Sequence, residues 1–245
     1  MNKTSHDIEW EVEGFHWWFS VRRTFLKSIL SSFPPPSDSI ALDIGCGVGS
    51  NLQILGAMRL QVIGLDRSLY ALSLAKKKLA LPLINGDLNA LPIRPNCVGL
   101  IIAMDILEHL ENDANGIREL YETLKEGGIL IVTVPAFQFL WGIQDFVTGH
   151  KRRYSRKEIS SKLGCEKFEV LRSFYFNFFL FFPILFARRM FHLLGLKIRS
   201  ENEINFPFIN FLLKAIFSLE PPILRYISFP FGVSILCIAR KNKTI

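Results

Sequence analysis

The chain has 245 residues, 49% hydrophobic, 21% charged and 13% aromatic, a composition that excludes disordered and fibrous classes and leaves room for one full-sized core with elaborations. Its net charge of +7 is unevenly spread: residues 1–149 hold 12 Lys/Arg against 16 Asp/Glu, whereas residues 150–245 hold 17 against 6. The same back third holds 13 of the 22 phenylalanines, between Phe174 and Phe229, a pairing that suits an anionic membrane surface better than nucleic acid, with a plain solvated basic face as the alternative.

From the N-terminus, residues 7–32 read as helical, with Trp18, Phe25, Leu26 and Ile29 apolar among charges until Phe33-Pro34-Pro35-Pro36 ends the pattern. Short β-rich runs follow at Ile40–Ile44, Leu60–Leu65, Leu81–Ile84, Val98–Met104 and Ile129–Val134, separated by helical patterns, and this alternation predicts a parallel sheet. In Asn112–Glu126 the residues Ile117, Leu120, Tyr121 and Leu124 make one helical stripe, with Gly127-Gly128 as its stop. Ser155–Leu163 reads as a further helix, and Phe168–Tyr175 and Val233–Ala239 as the last strands.

About 55 residues separate those last strands, where compact domains usually place only a few. The run Phe174–Ala187, interrupted by Asn177 and Pro183, is too short to span a bilayer. With Phe206–Leu219 it is expected to lie on a membrane, two buried core helices being the alternative. The expected organisation is an N-terminal helical lid (1–36), a core domain (37–176 with 232–245) and an apolar helical insertion (177–231). The opening MNKTSHDIEWEVEGFHWWF is polar, acidic and aromatic, so no secretion signal is expected. Cys46, Cys97, Cys165 and Cys237 are too scattered for a zinc or disulfide framework. The expectation is a cytoplasmic protein without a metal, peripheral to the inner membrane face.

The chemistry starts at Asp43-Ile44-Gly45-Cys46-Gly47-Val48-Gly49, where an apolar strand runs into a glycine turn and then a helix. Such a turn lets backbone approach a nucleotide-like ligand. The spacing is GxGxG rather than the GxGxxG of dinucleotide turns, and Asp43 would repel a pyrophosphate but could hold a cationic amino-acid group. Asp66 ends the next strand, placed to accept ribose hydroxyls, and Asp87 after the third strand suits an adenine amino group.

The runs ALDIGCGVGSN, VIGLD, INGDLNALPI, AMDILEHL and LKEGGILIVTVP, in this order, resemble the class I S-adenosylmethionine-dependent methyltransferases over roughly residues 10–175 and the final strand. The resemblance implies a doubly wound, Rossmann-like α/β fold. Its seven-stranded sheet would be mostly parallel with the last strand antiparallel, and S-adenosylmethionine would be the cofactor. It further implies that Gly45, Gly47 and Gly49 pass under the methionine part, that Asp66 with its neighbour Arg67 meets the ribose, that Asp87 and Leu88 hold the adenine, and that Asp105 lies near the methyl donor. Trp17-Trp18 with Arg22-Arg23, Leu107-Glu108-His109-Leu110 and Gly149-His150 are similar to the ubiquinone-biosynthesis O-methyltransferases, which act on membrane-embedded substrates. The apolar stretch Phe174–Phe229 and the run HKRRYS depart from that branch, which leaves the substrate open.

A hydroxyl acceptor needs a base. His109 and His150 follow the fourth and fifth strands, on the edge where open α/β sheets bind ligands. His150 is preferred, with Asp145 to orient it, while His109 serves equally well as a structural hydrogen-bonding group. His6, His16 and His192 are not expected to take part. Arg22 or Arg23 would pair with the donor's carboxylate while Trp17 or Trp18 closes over it, a packed amphipathic helix being the alternative. Lys151, Arg152, Arg153, Arg156 and Lys157 would hold a phosphate or face an anionic membrane. The expected function is O-methylation of a lipophilic or lipid-linked acceptor at the membrane surface. A soluble acceptor and a non-catalytic cofactor-binding subunit are the alternatives. An NAD-dependent oxidoreductase is disfavoured by the turn, and nucleic acid by the lack of a recognisable module.

Overall fold

A computed structural model describes residues 3–58, 60–194 and 206–242 of the chain. Seven strands form one sheet in the order β3-β2-β1-β4-β5-β7-β6. Strands β1 (Ile40–Ile44), β2 (Gln61–Asp66), β3 (Leu83–Asn85), β4 (Val98–Met104) and β5 (Leu124–Pro135) are parallel. The last strand, β7 (Ser234–Lys241), runs antiparallel between β5 and β6 (Phe168–Phe176). This is the doubly wound, mostly parallel sheet that the alternation predicts. The strand order reverses between β1 and β4, so their carboxyl ends open a crevice there.

The central strands are apolar on both sides because helices cover both faces. Leu100, Ile101, Ile102 and Ala103 of β4 have no exposed surface. One face packs on Val21, Phe25 and Leu26 of α2 (Trp17–Ser32), with Leu52 and Leu55 of α3 (Ser50–Gly56). The other packs on Ile117 and Leu120 of α5 (Asp113–Thr123), with Ile159 and Leu163 of α7 (Arg156–Cys165). Burying each such side chain contributes about 1.5–3 kcal/mol. Between these lie α4 (Leu69–Lys78), capped by the Ser68 hydroxyl, and α6 (Ile143–Thr148).

Three local expectations are corrected. The N-terminal pattern is two helices, α1 (Lys3–Val12) and α2, because the chain turns through Gly14 and His16 caps α2 by accepting the Trp18 N–H at 3.3 Å. Helix α5 stops at Thr123, since Leu124 already pairs with Val98 at the start of β5. Gly127, at φ +72°, therefore turns within the β5 segment and does not stop the helix.

The insertion supplies α8 (Phe181–Leu194), α9 (Pro207–Phe217) and α10 (Glu220–Leu224). Its residues 195–205 lie outside the described residues, as do 1–2 and 243–245 of the expected flanking segments. Phe217, fully buried, sits among Trp17, Trp18, Phe25 and Phe176. Glu220, also fully buried, accepts the backbone N–H groups of Asn177 at 2.6 Å and Phe179 at 3.0 Å. These two residues pin the insertion to the end of β6, yet the outer sides of α8 and α9 are open. The alternative of two buried core helices does not hold.

Candidate active site

A cavity of about 370 Å³ opens at the carboxyl ends of the parallel strands. Gly45 and Gly47 line it from the turn after β1, Asp66 and Arg67 from the end of β2, Asp87 and Leu88 from the loop after β3, and Asp105, Glu108 and His109 from the segment after β4. His150 and Arg153 enter from the loop after α6, and Glu9, Trp18 and Arg22 from the N-terminal helices.

The turn leaves no room for a side chain on Gly45 or Gly49. A Cβ on Gly45 would fall 1.9 Å from the Ile106 Cδ1, and Gly45 itself is at φ +70°, which only glycine adopts without strain. Asp66, 8% exposed, accepts the Gly47 N–H at 2.9 Å through Oδ2 and the Ser68 N–H at 2.7 Å through Oδ1. This carboxylate therefore ties the glycine turn to β2 and is not simply an exposed edge group. Asp43 lies buried below the turn with its Oδ2 unbonded, and burial raises its carboxyl to about 8, partly countered by a hydrogen bond with Asn51.

Above the turn lies Glu9. A Cβ on Gly47 would be 3.5 Å from either Glu9 carboxyl oxygen. Burial, then the nearby Glu13 and Asp66, raise Glu9 to about 7. Helix α1 is held over the turn by Glu13, which meets Lys78 at 2.6 Å and the Ser50 hydroxyl, and by Asp7 on the Tyr70 hydroxyl. Glu9 and Asp66 thus line the cavity beside the turn, with Asp43 buried next to it, a setting for a cationic ligand group.

The opposite end holds the candidate base. His150 Nδ1 meets Asp145 Oδ1 at 2.7 Å. Asp145, fully buried, also accepts the Gly142 N–H at 2.7 Å and both Nε (3.0 Å) and Nη2 (2.8 Å) of Arg153. Burial alone would raise the Asp145 carboxyl, but the bonds from His150, Arg153 and Gly142 outweigh it and hold it at about 2. His150 Nε2 lies 3.7 Å from Glu108 Oε1. Glu108 has no exposed surface and neither carboxyl oxygen is bonded; burial, then Asp105, raise it well above the ordinary glutamate value. His109 stacks edge-on against His150 at 4.8 Å. Burial, then His150, lower it to about 4, so it is neutral near pH 7. Glu108, His109 and His150 present ligand atoms within 4.8 Å of one another and are the group that could hold a cation among the described residues.

Other expected roles change. Arg22 pairs with Asp105 at 2.5 Å and donates to the Thr133 hydroxyl at 3.0 Å, so it braces the cavity wall. Arg23 is spent on the carbonyls of Glu13 and Gly14. Trp18 stacks on Phe176 and Phe217 and under the Arg22 guanidinium, the packed-helix alternative, while still lining the cavity. Asp87 folds back on Asn89, its Oδ1 accepting that residue's backbone and side-chain N–H groups at 2.8 Å. The basic run is largely committed to internal partners. Lys151 pairs with Glu111, Arg152 with Asp113 and the carbonyls of Leu110 and Glu111, and Arg153 with Asp145. Arg156 and Lys157 of the same run are exposed.

Sequence reasoning missed Glu9, Glu108 and Asn177. Glu108 stood inside the run Leu107–Leu110 that was read for His109. Asn177 was visible as a polar break in an apolar run. It is fully buried, at φ +59°, lines the cavity, and has neither side-chain atom bonded, which marks a position left for a ligand.

Residues 42–132 match the methyltransferase domain family. An uncharacterized protein of Methanocaldococcus jannaschii is 30% identical over 142 residues, covering 55% of each chain. The mitochondrial ubiquinone biosynthesis O-methyltransferase of Schizosaccharomyces pombe is 27% identical over 135 residues, covering 51% of this chain and 49% of that one. The chain spans about half the length of these curated relatives. Among solved structures, Haemonchus contortus phosphoethanolamine N-methyltransferase 2 in complex with S-adenosyl-L-methionine superposes with a TM-score of 0.59 at 20% identity, over 90% of this chain and 52% of that one. At that identity the likeness is one of fold.

Proposed function

We propose that the chain is a class I S-adenosylmethionine-dependent methyltransferase that methylates a hydroxyl of a lipophilic or lipid-linked acceptor at a membrane surface, a reading supported by the family match over residues 42–132. When bound, S-adenosylmethionine supplies an electrophilic methyl group on a sulfonium. The residues present fit it: the unbonded Asp43 Oδ2 and the Glu9 carboxyl flank the glycine turn, where a cationic amino-acid end needs counter-charge. Asp66 and buried Leu88 line the same cavity, where Asp66 would meet the ribose and Leu88 would give the adenine an apolar wall.

The observation that carries the hydroxyl reading is the Asp145–His150 pair in the same cavity as the glycine turn. With Asp145 accepting from Nδ1–H, the His150 Nε2 lone pair is left to take the acceptor's proton, a tautomer assigned from that hydrogen bond. The resulting imidazolium is balanced by Asp145, which is a positioning residue, since it does not line the cavity. Arg153 locks Asp145 in turn. Trp17, Trp18, Phe19, Ile184 and Val233 give the acceptor side an apolar wall, which supports a lipophilic acceptor.

The test is incubation with methyl-labelled S-adenosylmethionine and a whole-cell extract, followed by phase partition. Label in the organic phase, lost with His150→Ala, supports the reading. Label confined to the aqueous phase would move it to a soluble acceptor. Tight binding of S-adenosylhomocysteine with no label transferred would make the chain a cofactor-binding subunit.

A further inference from the structure

Helix α8 presents Phe182, Phe186, Arg189 and Leu193 on one stripe, the three apolar residues being 63–77% exposed. Helix α9 presents Phe208, Phe211 and Leu212 outward, the two phenylalanines 76% and 70% exposed, while its other side buries Phe217 and hydrogen-bonds the Trp17 N–H through Asn210. Tyr226 and Ile227 continue the apolar surface past α10. Single exposed phenylalanines are ordinary, but two such stripes in one insertion are not. Ile184 of α8 lines the active-site cavity, as do Trp17 and Trp18 beneath α9.

Among the described residues of the insertion, the exposed charges have one sign. Within 177–231 the described cations include Arg189, Lys214 and Arg225, all exposed, and the sole described acidic residue is Glu220, which is buried. Nor do the described helices of the insertion reach across a bilayer. Pro207–Leu224 is apolar and long enough by composition, and only 22% of it is buried, but the helix is broken at Ser218–Leu219 and held at Phe217 and Glu220. Helix α9 alone reaches about 16 Å, against a hydrocarbon core of about 30 Å.

We propose that the outer faces of α8 and α9, with Tyr226 and Ile227, dock on an anionic phospholipid bilayer, the phenylalanines entering the acyl boundary and Arg189, Lys214 and Arg225 meeting the headgroups. This rests on the lipophilic-acceptor reading and deepens it: docking sets the mouth between Trp17 and Ile184 against the lipid from which the acceptor is drawn.

The test is flotation of the full chain with phosphatidylcholine vesicles, with and without phosphatidylglycerol. Binding should require phosphatidylglycerol and weaken with salt. The pair Phe208→Ser/Phe211→Ser should lose at least about tenfold in partition, and Arg189→Glu/Lys214→Glu should lose the phosphatidylglycerol preference. Both variants should keep S-adenosylhomocysteine affinity, which shows that they fold. Vesicle binding unchanged by either pair would overturn the proposal. So would a wild-type dimer that ignores vesicles and dissociates with Phe208→Ser/Phe211→Ser, which would make the face a contact between copies. Label in the organic phase without any vesicle binding would overturn the docking surface while leaving the acceptor reading standing.

Discussion

Replacing Asp145 by asparagine keeps the shape of the side chain and removes its charge. Four bonds end on this carboxylate, from Gly142, two nitrogens of Arg153, and His150. The amide can serve as acceptor through one oxygen only, so its NH₂ must face either the guanidinium or the imidazole. The Arg153 side chain is 3% exposed, and breaking a buried pair of this kind costs about 3 kcal/mol or more, which in a chain of this size lowers Tm by about 6–12 °C. The loss should be full above about pH 4 and shrink as pH falls through about 2, because a depressed carboxyl stabilises only while it is ionised. Turnover measured well below the variant's Tm should fall by about 10²–10⁴, the usual worth of a positioned base. Affinity for S-adenosylhomocysteine should stay within about twofold, since Asp145 does not line the cavity. Turnover within threefold of wild type, in a variant that shows the stability loss, would refute the base assignment.

Three further outcomes follow from the same site. Asp66→Ala orphans the Gly47 and Ser68 N–H groups, so it should cost about 1–3 kcal/mol in urea unfolding as well as at least about tenfold in S-adenosylhomocysteine affinity by calorimetry; unchanged affinity would remove its ribose role. Glu9 and Asp43, raised to about 7 and about 8, bind protons more tightly folded than unfolded, so their stabilising contribution is full at acid pH and lost as pH rises through these values. Scanning calorimetry should show the ligand-free Tm falling from about pH 4.5 to about pH 8 and the S-adenosylhomocysteine increment growing, a trend that Glu9→Gln flattens. Asn177→Leu removes two unbonded buried polar atoms but sets a leucine at φ +59°, opposing effects of about 1–3 and about 1–2 kcal/mol, so Tm should shift little while acceptor turnover drops, as read by label transfer; a wild-type rate would take Asn177 out of the acceptor site.

Much of the sheet was legible because its signals are local. Val98–Met104 is apolar throughout because it is covered on both faces, and the glycine turn advertises its own backbone demands. The end of α5 was misread because pairing of Leu124 with Val98 outcompetes continued helix, a tertiary effect invisible to periodicity. The site was legible where residues sit at strand ends, as Asp66 and Asp105 do, and obscure where separate segments meet. Glu9 reaches Gly47 only because α1 folds over α4, and Arg153 leaves the basic run because it turns inward to Asp145. Exposure of the insertion could not be read at all, since a buried and an interfacial apolar helix share one composition.

The central claim is that this cavity is built for S-adenosylmethionine. Titration calorimetry with S-adenosylhomocysteine and, in parallel, with NAD tests it most directly. The account predicts one site per chain for S-adenosylhomocysteine, proton release on binding near pH 7, and no heat with NAD. Absence of S-adenosylhomocysteine binding, or equal binding of NAD, would contradict it.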